Sequence, residues 1–223
     1  MSDPRRIDEF LADCFRRFKP VAFDVVEAAF PSRHLPPASR DAVVRDEPPA
    51  NPTIPEWFRW AKLDTSELRQ RVARAQAIPE GEAALGAHGL LIAGPSGSGK
   101  TSLACALLRA WGARNPGRQG IFASARSLGV ARAQHALGAG EAPEVVRACS
   151  ADLLVLDDLG SERDTPTNAV PDVIFTRAEA GRPMWVTTWM TPQAIAQRYG
   201  DGVARRLYEA GLVTIVACGK KDS

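Results

Sequence analysis

The sequence has few of the features that mark secreted, membrane or zinc-binding proteins. Its 223 residues include four cysteines and three histidines, with no Cys-x-x-Cys pair and no histidine at ligand spacing. A disulfide framework and a zinc finger are therefore excluded, and the thiols are expected to be reduced in a cytoplasmic protein. The N-terminus has no signal-peptide core, and no apolar run approaches the ~20 residues that span a bilayer. We expect a cytoplasmic protein with no membrane partner.

An excess of charge of one sign is also absent. The formal net charge is +2, which is too small to indicate a nucleic-acid binder by itself, so any DNA contact must be local. Charged residues make up 24% of the chain and apolar residues 45%, as in ordinary soluble proteins. The length suits one α/β core with an appendage, and it is too short for two full domains.

The first part of the chain differs in composition from the rest. Residues 5–18 place apolar side chains at helical spacing, a second apolar stretch covers residues 21–30, and prolines interrupt the following residues. We predict a short N-terminal helical arm at residues 1–30 and a proline-rich linker at residues 31–53. An arm of this size does not fold alone, so its phenylalanines are buried either on the chain's own domain or on another protein.

The strongest signal is a glycine loop between an apolar strand and a helix. Residues 94–101 read Gly-Pro-Ser-Gly-Ser-Gly-Lys-Thr, after the apolar residues 89–93 and before a helix-forming run. Such a loop turns its backbone N–H groups around a phosphate, and the helix start adds a positive dipole end. Lys100 would reach the β- and γ-phosphates of ATP, and the Thr101 hydroxyl would coordinate Mg²⁺. The predicted phosphate-binding residues are Gly94, Pro95, Ser96, Gly97, Ser98, Gly99, Lys100, Thr101 and Ser102.

Two carboxylates end a second apolar strand. Residues 152–160 contain a four-residue aliphatic run followed by Asp157 and Asp158, which fits a central parallel strand buried on both faces. Ligands bind at the carboxyl ends of such strands. We predict that Asp157 holds Mg²⁺ and that Asp158 orients the attacking water.

The remaining segments complete an alternating α/β pattern. Further strands are predicted near residues 119–125, 183–189 and 212–217, and helices follow the turn and cap signals between them. Thr65 or Asp64 would cap a helix that carries a continuous apolar stripe through Leu68, Val72, Ala75 and Ile78. Trp57 and Trp60 would either line an adenine pocket or pack in the core at the domain edge.

The order of these segments resembles that of an AAA+ ATPase, and their details look like the DnaC/IstB-like group of helicase loaders and transposition helper ATPases. The resemblance covers residues 54–218 and is carried by four stretches, at residues 54–59, 94–101, 153–162 and 181–188. It implies an ATPase domain at residues 54–223. It also implies a three-layer P-loop NTPase sandwich with a five-stranded parallel sheet in the order 5-1-4-3-2 and no C-terminal lid.

The resemblance also implies hydrolysis of ATP at the boundary between subunits of an ATP-bound homo-oligomer. Arg206 stands where the group places an arginine finger, with Arg205 as the adjacent alternative. Two positions depart from the pattern. Trp189 replaces an asparagine that senses the γ-phosphate, so Thr188 takes the polar role or that role is weakened. Asp158 replaces a longer glutamate, which predicts slow turnover.

Three functions follow from these features. The first is an ATP-dependent loader or remodeller that acts on DNA through a replicative helicase or a transposase. Single-stranded DNA would then contact Arg126, Arg132 and His135, although a solvated basic face explains these residues better. The second is a nucleotide-binding adaptor with little hydrolysis. The third is a small-molecule P-loop kinase, for which the sequence offers neither an acceptor pocket nor a basic lid.

Overall fold

The computed structural model describes residues 51–163, 165, 168–208 and 213–219. The predicted helical arm and most of the predicted linker lie outside the described residues. Asn51 and Thr53, from the end of that linker, are bonded to the domain. The Asn51 amide donates to Gly120 O at 2.7 Å, and Phe122 N donates to Thr53 Oγ1 at 2.8 Å.

The centre of the fold is a sheet of five parallel strands. They are β1 (Gly89–Ala93), β2 (Gly120–Ser124), β3 (Leu153–Leu159), β4 (Met184–Thr188) and β5 (Val213–Ala217). Their spatial order is β2-β3-β4-β1-β5, which is the predicted order 5-1-4-3-2 taken from the other edge. The predicted α/β architecture is therefore confirmed.

Eight α-helices and one 3₁₀ turn, Glu56–Phe58, lie within the described residues. The helices are α1 (Ser66–Arg71), α2 (Ala77–Ala83), α3 (Lys100–Arg114), α4 (Ala125–Gln134), α5 (Pro143–Ser150), α6 (Ala169–Glu179), α7 (Pro192–Tyr199) and α8 (Asp201–Tyr208). None of these described helices combines the length and apolarity that a membrane span requires.

The helices form two layers because the strands are apolar on both faces. Leu153 and Val155 of β3 belong to the core cluster built with α3, and Leu154 and Leu156 belong to the cluster built with α4–α8. All four side chains are fully buried. This is the double burial that a continuous aliphatic run predicts for a central parallel strand.

One predicted helix is broken into two. The stripe from Leu68 to Ile78 predicts a continuous helix, but α1 ends at Arg71 and Val72 is extended. Thr65 caps α1 by accepting from Leu68 N, as predicted. Ala73 N then donates to Ser98 O at 3.2 Å, so the segment after α1 bonds to the glycine loop instead of continuing the helix. A tertiary contact overrides the local periodicity here.

Candidate phosphate and metal site

The glycine loop begins where three strands come together. Gly94 N donates to Thr188 O of β4 at 3.1 Å, and Cys218 N, just after β5, donates to Ala93 O at 2.7 Å. A Cβ on Gly94 would lie 2.9 Å from Ser98 Oγ and 3.1 Å from Gly219 N. Only glycine fits this start of the loop, which lies at the carboxyl edge of the sheet.

Gly99 sets the other end of the loop. Its φ of +85° is in the left-handed region, and a Cβ there would lie 2.5 Å from Arg71 O and 2.9 Å from Val72 Cα. Gly99 is the N-cap of α3, whose first residue is Lys100. The extended segment after α1 therefore backs the loop, and the loop delivers Lys100 and Thr101 on the first turn of a 15-residue helix.

Lys100 is folded into the loop. Its side chain is 8% exposed, and Nζ donates to Pro95 O at 2.8 Å. Burial lowers the pKa of Lys100, and the negative charges that act against this shift include Asp158 and Asp157. The ammonium is thus held between the loop and the acidic end of β3, where it can bind an anion enclosed by the loop.

Asp157 joins the strand end to the first turn of α3. Its Oδ2 accepts from Thr101 Oγ1 at 3.2 Å, and its Oδ1 accepts from Thr187 Oγ1 at 2.7 Å. The carboxylate is 7% exposed, and burial raises its pKa against the effect of these two hydrogen bonds. A hydroxyl and a carboxylate in contact are oxygen ligands of the kind Mg²⁺ prefers, with phosphates and water completing the shell.

The predicted metal residues are therefore brought together. In the described part of the chain no group of three or more His, Cys, Asp and Glu side chains is arranged to hold a metal ion. Thr101 and Asp157 contribute one hydroxyl oxygen and one carboxylate to this end of the sheet.

Asp158 lies on a β-bulge. Leu156 pairs with Val186, but Leu159 pairs with Thr188. Between these two pairs β3 therefore contains one residue more than β4. Asp158 takes up this extra residue with a φ of +56°, which aspartate tolerates better than most side chains. Its N–H donates to Thr187 Oγ1 at 2.8 Å. The bulge changes the direction of the Asp158 side chain beside Asp157, as bulges commonly do next to functional sites.

The polar group that β4 supplies to the acidic strand end is Thr187 and not the predicted Thr188. The Thr188 hydroxyl donates to Leu159 O at 3.0 Å, accepts from Met190 N at 3.0 Å and is fully buried. Because strand side chains alternate, Thr188 faces away from Asp157, and Thr187 shares the face of Trp185. That alternation was the signal that could have identified Thr187.

The tryptophans fall in different environments. Trp189, at the position where an asparagine was expected, is 50% exposed, and a Cβ on Gly160 would lie 3.5 Å from its Nε1. Trp60 packs against the core cluster of α3, with the Arg71 guanidinium 4.6 Å from its ring centroid, whereas Trp57 is 65% exposed. The prediction of packing in the core at the domain edge therefore holds for Trp60 and not for Trp57.

Arg206 does not meet the other predicted site residues within one chain. Its guanidinium carbon lies 4.3 Å from the Phe175 ring centroid, and Nη1 donates to Gly202 O at 3.1 Å. It lines a cavity together with His88 and Val213, at the amino ends of β1 and β5. The phosphate loop lies at the opposite edge of the sheet, so Arg206 is remote from the loop of its own chain. Arg205 is exposed.

The predicted DNA-contacting residues do not form one open basic surface. Arg132 pairs with Glu141 and, at 2.6 Å, with Asp172, and only 20% of its side chain is exposed. These two carboxylates raise the pKa of Arg132 against the effect of its burial. Arg126 is exposed on the first turn of α4, and His135 is half-buried at the end of that helix.

Comparison with known proteins gives matches in structure. No family model matches the chain, and no curated protein matches its sequence. The DnaC helicase loader is similar with a TM-score of 0.62 and 24% identity, over 73% of this chain and 98% of that one. DnaI is similar with a TM-score of 0.56 and 20% identity, over 73% of this chain and 93% of that one. The replication initiator DnaA bound to AMPPCP and single-stranded DNA is similar with a TM-score of 0.51 and 22% identity, over 67% of this chain and 49% of that one.

These likenesses show the fold. The chain has an α/β fold like that of these structures, with the strand order that the sequence resemblance implied.

The first prediction concerns the close contact at Gly99. Gly99→Ala puts an alanine into a left-handed backbone conformation and brings its Cβ into a clash with Arg71 O. The control is Gly117→Ala, at φ +81°, where the alanine is also left-handed but its Cβ has nothing within 4 Å. The control should lose about 1–2 kcal/mol of unfolding free energy, and Gly99→Ala should lose clearly more. Urea denaturation without nucleotide measures both. Equal losses would contradict the contact.

The second prediction concerns the raised pKa of Asp157. The folded chain holds this proton more tightly than the unfolded chain, so the contribution of Asp157 to wild-type stability should fall as pH rises from about 4 through the raised pKa. Asp157→Asn carries no such charge, so its unfolding free energy relative to wild type should increase over this range. Urea midpoints measured between about pH 4 and 8 test this. A difference that stays constant with pH would show that burial does not penalise the carboxylate.

Proposed function

We propose that this protein binds ATP with Mg²⁺ between the phosphate loop and the end of β3, hydrolyses it, and uses nucleotide occupancy to control its assembly and partner binding. The observation that carries the proposal is the contact of Thr101 with Asp157 at 3.2 Å, beside the buried Lys100. It supports a single site built from a phosphate cradle and an oxygen pair suited to a divalent cation.

Each residue of the site has a distinct role in this proposal. Backbone N–H groups within residues 96–102 and the Lys100 ammonium bind the phosphates, since Pro95 has no N–H and Gly94 N donates to Thr188 O. Thr101 and Asp157 hold the metal, with Thr187 fixing the Asp157 carboxylate. Asp158 orients the attacking water and accepts its proton. The bound Mg²⁺ supplies positive charge that offsets negative charge on the transferring phosphoryl group.

Arg206 serves the site of a neighbouring subunit in this proposal. Its remoteness from its own phosphate loop supports a role in trans, because a guanidinium lent across an interface makes hydrolysis depend on assembly. In the described structure Arg206 is held against Phe175 and Gly202 O of its own chain. Engagement of a neighbour would then release it from these contacts.

The partner is a replicative helicase or a transposase, and the process is DNA replication or transposition in the cytoplasm. The likeness to a structure described as a helicase loader supports the first alternative. The likeness to a DnaA structure holding AMPPCP and single-stranded DNA supports adenine-nucleotide binding and a DNA contact. Because Arg132 is paired with two carboxylates, a DNA contact would depend more on Arg126 than on Arg132.

A nucleotide-binding adaptor with little hydrolysis is the second candidate. The half-exposed Trp189 offers no amide to a γ-phosphate, and the short Asp158 side chain depends on a bulge for its aim. Both features favour slow turnover, so measured hydrolysis decides between the two candidates.

The third prediction separates nucleotide binding from turnover. Lys100→Ala should lose nucleotide affinity, because it removes the ammonium from the loop. Asp158→Asn should keep affinity and lose turnover by about 100-fold or more, because the amide cannot accept a proton. Fluorescence anisotropy of a labelled nucleotide and phosphate release at saturating ATP measure the two quantities. Asp158→Asn with normal turnover would remove Asp158 from the mechanism, and a wild type that binds without turnover would favour the adaptor.

The fourth prediction tests the arginine finger by complementation. Arg206→Ala should bind nucleotide normally but fail to hydrolyse it at any protein concentration, with Arg205→Ala as the adjacent exposed control. Lys100→Ala retains Arg206, so mixing the two inactive variants should restore part of the turnover at mixed interfaces. If Arg206→Ala alone hydrolyses ATP normally at high protein concentration, or if the mixture stays inactive, the assignment in trans is wrong.

A further inference from the structure

The carboxylate of Glu162 is buried close to the site, and none of the roles above uses it. It follows Gly160 by two residues, in the turn after β3, and the residue is 4% exposed. A buried carboxylate without partners is very costly, so its contacts must compensate for the lost hydration. Those contacts come from three different elements of the fold.

The first contact is with the strand end that carries Asp158. Gly160 N donates to Glu162 Oε2 at 3.2 Å, and Ser161 N donates to Asp158 O at 3.0 Å. The turn at residues 158–161 is thus closed by its own backbone and tied to the Glu162 side chain. Asp158 is at the start of this turn and already has a sparsely populated backbone conformation. Its orientation therefore depends on the contacts that surround it.

The second contact is with the start of α6. Asn168 Nδ2 donates to Glu162 Oε1 at 3.2 Å, while Asn168 Oδ1 accepts from Val170 N at 3.0 Å as the cap of that helix. One asparagine thereby links the helix cap to the buried carboxylate.

The third contact is with the end of α7. The Tyr199 hydroxyl donates to Glu162 Oε1, and the Arg198 guanidinium lies 3.6 Å from the same oxygen and donates to the Glu162 backbone carbonyl. Burial raises the pKa of Tyr199, so the hydroxyl keeps its proton and remains a donor. The turn after Asp158 is therefore anchored to α7 by a buried, charge-assisted network.

Helix α7 is in turn joined to the helix that carries Arg206. Only Gly200 separates α7 from α8, and the two helices pack against each other. Ala204 N donates to Gly200 O at 3.3 Å, so α8 begins directly at this junction. A displacement of α8 at an interface would thus be carried to Tyr199 and Arg198.

We infer that Glu162 is a positioning residue, which with Tyr199 and Arg198 holds the turn after Asp158 against α7 and makes turnover depend on the placement of the α7–α8 pair. This inference rests on the proposed ATPase function. It adds that the position of α8, the helix that carries Arg206, affects Asp158, the residue that orients water. The effect passes through groups of this chain that are bonded to one another.

The fifth prediction concerns Glu162→Gln, which keeps the shape but removes the charge and one of the two oxygen acceptors. The amide cannot accept from Gly160, Asn168 and Tyr199 as the carboxylate does. We expect turnover at saturating ATP to fall about tenfold or more, since small misplacements of catalytic groups have effects of this size. Nucleotide affinity should stay within about twofold, because the bonds described for Glu162 run to its own turn, to the cap of α6 and to α7. Tyr199→Phe, which removes one hydrogen bond to Glu162 and leaves the Arg198 contacts of α7 in place, should also lower turnover, to a lesser degree.

The matched control is Glu141→Gln. Glu141 also accepts from a backbone N–H, that of Ala142 at 2.9 Å, and pairs with an arginine, but it lies between α4 and α5. Its loss should change neither affinity nor turnover, measured as in the third prediction with thermal melting alongside. A melting temperature that falls equally in both glutamate variants, with turnover falling only in Glu162→Gln, supports a positioning role.

The outcomes separate this inference from the proposed function. An active wild type with unchanged turnover in Glu162→Gln overturns the inference alone, as does a parallel loss of affinity and turnover, which marks a structural role. Normal turnover in both Tyr199→Phe and Arg198→Met, the two residues by which α7 contacts Glu162, beside an impaired Glu162→Gln overturns the link to α7. A wild type that binds nucleotide without turnover contradicts the proposed hydrolysis, and the inference fails with it because it assigns a role in turnover.

Discussion

The contact between the Thr101 hydroxyl and the Asp157 carboxylate is the interaction on which the other features of the site depend. These residues are 56 positions apart and meet because β4 lies between β1 and β3, with Thr187 of β4 holding the second oxygen of Asp157. Two charged groups of the site, Asp157 and Lys100, are desolvated. Burial raises the pKa of Asp157 and lowers that of Lys100, so each lacks part of the charge compensation that water would give. A phosphate anion and its divalent cation supply both missing charges together.

The acidic end of β3 is shaped by backbone geometry as much as by side chains. Asp157 continues the regular strand and faces the phosphate loop, whereas Asp158 occupies a bulge with positive φ. Two adjacent carboxylates thereby acquire different environments, one buried between hydroxyls and one at a turn. The turn is held by Glu162, whose partners on α6 and α7 lie in the helical layer that also includes α8 and Arg206. In the proposed function, metal binding and water orientation would thus be separated over two consecutive residues.

Much of this arrangement could be predicted from the sequence, because apolar runs, glycines and helix caps act over short distances. The strand order, the phosphate loop and the placement of Asp157 at the carboxyl edge followed from such signals and from the resemblance they carry. The helix break after Arg71 could not be predicted, since it depends on a bond between Ala73 and Ser98. The network of Glu162 was likewise invisible, because Tyr199 is 37 positions away. Thr187, in contrast, could have been predicted from the alternation of side chains along β4, since it lies two residues after Trp185.

The most direct measurement is calorimetric titration of the wild-type protein with an adenine nucleotide, performed with Mg²⁺ and with the metal chelated. If Thr101 and Asp157 hold a metal beside a phosphate cradle, the nucleotide binds at one site per chain and more tightly when Mg²⁺ is present. Absence of binding, or an affinity that does not change with Mg²⁺, would contradict the central claim that these two residues form a nucleotide-linked metal site.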